Sequence, residues 1–203
     1  MHIAIAGNIG SGKTTLTEKL SKHYGYEAMF EQADSNPYIN DFYDDMQRWS
    51  FNMQIYYLQS RYNLIQNLRE SGKNVIQDRT IFEDAEIFAP NLHSMGLMTT
   101  RDFDNYIELY SLINKLVPSP DLLIYLRASV STLVSQIQAR GRDYEASIRL
   151  DYLTRLNERY EAFVSSYEGN VLIIDIDNNN FPESQEDLGK IIQSIDGQIN
   201  GLF

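Results

Sequence analysis

Short, nearly unbroken apolar runs alternate along this chain with longer stretches in which apolar residues return every three or four positions. The runs His2–Ala6, Tyr26–Phe30, Asn74–Gln77, Leu122–Leu126 and Val171–Ile174 have strand length. Most lack the in-out alternation of a strand with one wet face, which predicts parallel strands covered on both sides. Helical spacing fills the intervals at about 13–23, 38–70, 80–116 in pieces, 129–139, 148–167 and 184–200. Thr80-x-x-Glu83 and Ser184-x-x-Asp187 have the form of N-terminal capping signatures, because a hydroxyl and a carboxylate three residues apart can each satisfy a free N–H. Pro118 and Pro120 stop a helix before the fourth strand, and Asp177-Asn178-Asn179-Asn180 is a polar loop after the fifth. No repeat, long linker or low-complexity segment interrupts the alternation. It predicts one doubly wound α/β domain over 1–203.

Composition narrows the partners more than the fold. The chain is 43% hydrophobic, yet no stretch has the apolar length of a membrane helix. The first strand begins at once, without a basic, apolar and cleavable leader, and cysteine is absent. Both point to a cytoplasmic protein without disulfides or cysteine metal sites. A net charge of −11 opposes nucleic acid as a partner, since binding it demands a basic surface. A small-molecule substrate is the expectation that remains.

Residues Gly7-Asn8-Ile9-Gly10-Ser11-Gly12-Lys13-Thr14 fit the pattern G-x-x-x-x-G-K-[ST], between the apolar run Ile3-Ala4-Ile5-Ala6 and the helical stretch from Thr15. Glycines let the backbone curl until successive N–H groups face phosphate oxygens. Lys13 brings a charge to the outer phosphates, the Thr14 hydroxyl can ligate Mg²⁺, and the helix directs its positive end at the same anion. Given ordinary glycine usage, a chance match in a chain this long is on the order of one in a hundred. The segment predicts binding of a nucleoside triphosphate.

In doubly wound folds the ligand lies beyond the carboxyl ends of the strands, which supplies a second list of candidates. Strand two ends at Phe30-Glu31, strand three at Asp78-Arg79-Thr80 and strand five at Asp175-Ile176-Asp177. Asp78 suits magnesium, or else caps the segment that starts at Thr80. Arg79 can stabilise charge on a transferred phosphoryl group, pair with a nearby carboxylate, or both. Glu31 can accept the proton of an attacking hydroxyl, or be a solvated loop residue. In the aromatic-rich stretch 36–61, Gln54 and Arg61 share a helical face with Leu58, and an amide in an aromatic cleft can read a nucleobase edge. Arg140-Gly141-Arg142 reads either as a lid over phosphates or as cations compensating a helix C-terminus.

Taken together these motifs resemble the deoxyribonucleoside kinases, in particular the compact bacterial deoxyadenosine/deoxyguanosine kinase branch. The resemblance runs nearly end to end, through Gly7–Thr15, Phe30-Glu31, Phe42-Tyr43, Arg48-Trp49-Ser50-Phe51, Gln54, Asp78-Arg79-Thr80, Asp84 and Arg140-Gly141-Arg142-Asp143-Tyr144-Glu145. It implies a five-stranded parallel sheet flanked by helices, a homodimer built through a helix bundle, and a lid at about 136–147. It also implies transfer of the γ-phosphoryl group of ATP, with Mg²⁺, to the 5′-hydroxyl of a deoxynucleoside. By resemblance Glu31 is the general base, Asp78 holds magnesium or accepts the proton, and Arg79 contacts the 5′-oxygen. Tyr43 and Glu145 match the pair on the sugar 3′-hydroxyl, Gln54 the amide that reads the base, and Arg61 and Asp84 positions near the base edge. Arg140 and Arg142 match lid arginines, and Asp175 to Asp177 fall where the adenine of ATP is cradled. Two positions depart from the pattern: Thr80 replaces a serine, and Gln136 stands where some members carry another lid arginine.

Two other readings share the phosphate loop. A nucleoside monophosphate kinase resembling thymidylate kinase needs extra cations near the acceptor, where this chain offers Glu31, Tyr43 and Gln54. A GTPase-type switch needs D-x-x-G after the third strand and an Asn-Lys-x-Asp element; the first is missing, and Asn114-Lys115 is followed by Leu116-Val117.

Overall fold

A computed structural model describes residues 1–31, 35–199 and 201, with side chains at all of these except 68–71 and 146. The strands are β1 (His2–Gly7), β2 (Glu27–Met29), β3 (Val75–Asp78), β4 (Leu122–Arg127) and β5 (Val171–Asp175). They form one parallel sheet in the order β2-β3-β1-β4-β5. The helices are α1 (Lys13–Tyr24), α2 (Ile39–Asp44), α3 (Met46–Ser71), α4 (Ile81–Glu83), α5 (Ala89–Ser94), α6 (Thr100–Asn114), α7 (Val130–Arg140), α8 (Leu150–Ser166) and α9 (Gln185–Ile199). A π-helical turn, Asp84–Phe88, joins α4 to α5, and a 3₁₀ turn, Asp143–Ser147, precedes α8.

The central strand shows how the layers are made. Ile3 and Ile5 enter one core cluster with Leu16 and Leu20 of α1, Leu133 of α7 and Ile191 and Ile195 of α9. Ala4 and Ala6 point the other way, into a cluster with Leu58 and Ile65 of α3 and Tyr160 and Phe163 of α8. All four β1 residues are fully buried, which is why this strand reads as an unbroken apolar run. Burying each of the large aliphatic side chains contributes about 1.5–3 kcal/mol.

The elements depart from the sequence reading in a few places. The helix expected over 38–70 breaks at Asp45, whose backbone turns extended at φ −142° and ψ 84°. Its side chain accepts the Arg48 N–H at 3.1 Å and so caps the start of α3. Hydrophobic periodicity continues across the break and conceals it. The helix expected from 148 begins at Leu150, and β5 is an edge strand with Ile173 41% exposed rather than covered on both faces. Position 200 of the helix expected over 184–200 lies outside the described residues. Both capping signatures form: the Thr80 N–H donates to Glu83 Oε2 at 2.7 Å, and the Asp187 N–H to Ser184 Oγ at 3.1 Å. Among the described residues no helix is long and apolar enough to cross a membrane.

Candidate active site

The loop from Gly7 to Thr14 turns between β1 and α1 under tight steric limits. Gly10 has φ +85°, and a Cβ there would lie 2.9 Å from both Leu133 O and Ile137 Cγ1 of α7. Gly12 caps α1 at φ +87°, with Phe181 from the loop after β5 packed 3.1 Å from where its Cβ would stand. Only glycine meets both conditions. Asn8 is buried and pins the loop to α8, donating to Leu153 O at 3.1 Å and Asn157 Oδ1 at 3.2 Å. Its own Oδ1 accepts the Ile9 N–H at 2.8 Å. Ser11 is buried behind the loop, and Ile9 and Thr15 join Gly10 and Gly12 on the wall of the cleft.

Lys13 folds back across the loop to donate to Asn8 O at 3.1 Å. Burial, reinforced by the charge of Arg79, pulls its ammonium down to about 8. Beside it Asp78 Oδ2 accepts the Thr14 hydroxyl at 2.6 Å. Asp78 Oδ1 is buried and has no hydrogen-bond partner among the described residues, and burial raises its carboxyl above the ordinary value. A free carboxylate oxygen next to a threonine hydroxyl is a donor set of hard oxygens that suits Mg²⁺. Among the described residues no cluster of three His, Cys, Asp or Glu side chains could hold a metal ion by itself.

Glu31 lies between two buried guanidinium groups. Arg61 Nη2 reaches its Oε1 at 2.7 Å and Arg79 Nε its Oε2 at 3.2 Å. Burial alone would push this carboxyl up; Arg79, Arg61 and Lys13 outweigh it and hold the pKa below the usual range. Arg61 is also hydrogen-bonded through Nε to Asp84, which burial holds up at about 6 despite that partner. Arg61 thus ties the acceptor carboxylate to the position assigned to the base edge. Asp84 and Phe88, four residues apart at the two ends of the π-helical turn, both line the cleft.

Arg79 is the one described non-glycine residue in the left-handed region, at φ 67°. That backbone costs on the order of 1–3 kcal/mol and persists only where its surroundings fix it. Its N–H donates to Ile5 O at 3.0 Å, and its carbonyl accepts Gln77 Nε2 at 2.9 Å.

A cavity of about 500 Å³ opens beside these groups, with Asp78 and Arg61 outside its lining. Lys13, Thr14, Glu31, Tyr43, Gln54, Arg79, Asp84, Arg140, Arg142 and Glu145 all line it, so segments spread over more than 130 residues meet in one cleft. Gln54 is buried, with Oε1 unpartnered among the described residues. The Tyr43 ring stacks on Tyr144 at 5.7 Å and 19°. Arg140 grips Glu145 at both oxygens, at 2.5 and 3.0 Å, and Arg142 stands 3.6 Å from it. The lid arginines and the carboxylate assigned to the sugar are therefore partners of one another here. Asp175 and Asp177 lie outside the cleft lining: both are exposed, Asp177 accepts the Ser129 N–H at 3.1 Å, and Asp175 accepts the Asp177 N–H at 2.9 Å. Their loop still borders the phosphate loop through Phe181.

Sequence reasoning missed the residues that support this site. Glu83 enters the sequence reading only as a helix cap, and Tyr160 and Asn157 not at all. Their contacts span 77 to 149 residues of chain, which periodicity does not encode.

A phosphate loop facing buried carboxylates and guanidinium groups across a cleft, at the carboxyl edge of a parallel sheet, is the architecture of a phosphate-loop kinase. The sequence model of the deoxynucleoside kinase family matches residues 3–200. The chain belongs to that family. It is 34% identical over 196 residues to the deoxyadenosine/deoxycytidine kinase of Bacillus subtilis strain 168, covering 95% of this chain and 90% of that one. It is 33% identical over 198 residues to the deoxyguanosine kinase of the same strain, covering 93% of each. Among solved structures, the deoxyadenosine kinase from M. mycoides with products dCMP and a flexible dCDP bound superposes with a TM-score of 0.87 at 33% identity. That match covers 97% of this chain and all of the other.

Proposed function

We propose that the protein transfers the γ-phosphoryl group of ATP to the 5′-hydroxyl of a 2′-deoxynucleoside, with deoxyadenosine as the first expected acceptor and deoxyguanosine and deoxycytidine next. The observation that carries this reading is the placement of Glu31, an ionised carboxylate held by Arg61 and Arg79 in the same cleft as the phosphate loop. Glu31 takes the proton from the 5′-hydroxyl as that oxygen attacks the γ-phosphorus. The new O–P bond forms as the bond to the β,γ-bridging oxygen breaks, and the displaced ADP keeps that oxygen. Lys13 and the loop N–H groups neutralise charge on the donor phosphates, and Arg79 steadies charge at the acceptor end. Asp78 and Thr14 are the residues that would hold Mg²⁺, which would supply charge neutralisation at the donor phosphates.

Residues 136–147 act as the lid. Triphosphate oxygens compete with Glu145 for Arg140 and Arg142, and a released Glu145 accepts the sugar 3′-hydroxyl beside Tyr43. Gln54, with its free amide oxygen, reads the base, and Arg61 and Asp84 border it. The exposed loop from Asp175 to Asp177 cradles the adenine of ATP beside Phe181.

Tyr43, packed beneath the ribose 2′ position, leaves little room for a hydroxyl, so deoxyadenosine is expected to be turned over well ahead of adenosine. Steady-state assays with ATP and Mg²⁺ test both points, using deoxyadenosine, deoxyguanosine, deoxycytidine, thymidine, adenosine and thymidine monophosphate in parallel. Equal rates for adenosine and deoxyadenosine refute the sugar assignment. Turnover of the monophosphate alone refutes the acceptor site.

We further propose a homodimer. Leu109, Leu112 and Leu116 on and just after α6 are 38%, 63% and 51% exposed, an apolar stripe that a second copy would cover. Sedimentation is expected to show twice the 23.5 kDa chain mass. A monomer at micromolar concentration rejects the proposal.

A further inference from the structure

The strained backbone of Arg79 and its side chain are fixed by different groups. Arg79 Nη1 donates to the Tyr160 hydroxyl at 2.7 Å, and that hydroxyl donates to Glu83 Oε1 at 2.8 Å. The second Glu83 oxygen is anchored by the Thr80 N–H. Tyr160 is fully buried, its ring stacked on Tyr125 at 5.9 Å and 9°, and Phe88 lies under the guanidinium at 4.5 Å. A phenol between a guanidinium and a carboxylate has its one proton committed, so the chain Arg79–Tyr160–Glu83 runs in a single direction. Burial, with Glu83 alongside, keeps the phenol protonated at any working pH.

We infer that Tyr160, backed by Glu83, is a positioning residue that holds the Arg79 guanidinium with Nε on Glu31 and Nη2 turned to the reacting phosphoryl group. Among the described residues no hydrogen bond occupies Nη2, whereas Nε and Nη1 are both taken. The alternative acceptor for Nη1 is Glu83 Oε1 at 3.9 Å. Without the phenol the guanidinium swings toward that carboxylate and draws Nε away from Glu31. The inference rests on the phosphoryl-transfer reading above, which places Arg79 at the acceptor end.

The test is Tyr160→Phe, with Tyr125→Phe as the control, since it removes a hydroxyl from the other ring of the same stacked pair. In Tyr160→Phe, kcat per folded molecule is expected to fall about tenfold, with KM for ATP and for the deoxynucleoside within twofold, because orientation rather than affinity is lost. Tyr125→Phe is expected to keep wild-type kcat. An unchanged kcat in Tyr160→Phe, a loss expressed in KM alone, or an equal loss in the control overturns the inference. If Tyr160→Phe fails to fold, Glu83→Gln replaces it; a severalfold fall in kcat supports the inference and an unchanged kcat overturns it. Wild-type enzyme in the same assay separates the two readings. No turnover of any deoxynucleoside by wild type removes the proposed function and this inference together, whereas an active wild type with an unaffected Tyr160→Phe removes the inference alone.

Discussion

Glu31→Gln is expected to lower kcat by about 10²–10⁴-fold, the usual share of general-base catalysis. The amide keeps the shape of the carboxylate and can still accept one hydrogen bond, but it cannot take a proton. Arg61 retains Asp84 and Arg79 retains Tyr160, so neither guanidinium is stranded when the charge goes. KM for ATP is therefore expected to stay within a few-fold, and single-turnover rates give the chemical step directly. A near-normal rate transfers the base role to Asp78. The same substitution has a pH signature in stability. The folded-state pKa of Glu31 is depressed, so its ion pairs contribute fully above the ordinary glutamate value and are lost as pH falls through the folded value. The difference in thermal midpoint between wild type and Glu31→Gln is accordingly expected to be widest at neutral pH and to shrink in acid.

Lys13→Met is expected to reduce kcat/KM for ATP by about 10²–10³-fold, the typical effect of deleting one preorganised partner of the transferring group. A methionine fills much of the buried stem and leaves the loop glycines in place. The pH dependence is the sharper check. With the ammonium pulled down to about 8 in the free enzyme, part of the population above that pH lacks the charge. A bound triphosphate is expected to raise the Lys13 pKa again, so that binding takes up a proton and affinity falls by up to about tenfold per pH unit above 8. Calorimetry in buffers of different ionisation enthalpy measures that uptake. It should vanish in Lys13→Met; uptake that survives the substitution assigns the proton to another group.

Local features of this protein were legible in its sequence and distant pairings were not. The phosphate loop is eight consecutive residues whose spacing is its mechanism, and the parallel sheet announces itself through strands buried on both faces. Asp78 and Glu31 were found because a strand end is a place a sequence can mark. Asp45 was missed because a capped break between helices leaves the hydrophobic period intact. The pairing of Arg140 with Glu145 was missed because one motif supplies both residues and spacing cannot say which partner each has chosen. Asp175 and Asp177 share the strand-end rule with Asp78, but they stand at the exposed edge of the sheet, outside the lining of the cleft that holds Glu31. Tyr160 illustrates the limit: only the fold reveals that a strained arginine 81 residues away leans on it.

The strand register has a consequence for synthesis. The sheet contains no hairpin, and its middle strand β1 pairs through His2 with Val75 and through Ile3 with Leu122. On a ribosome adding roughly 5–20 residues each second, the first strand made therefore waits about six to twenty-five seconds for its last neighbour to emerge. For that interval a run of isoleucines and alanines has at most one of its two neighbouring strands, and the nucleotide loop at its end lacks the wall that α7 later supplies. The segment that defines the chemistry is thus translated before every strand that flanks it in the sheet, and the long separation of its two neighbours makes its enclosure a slow, non-local step.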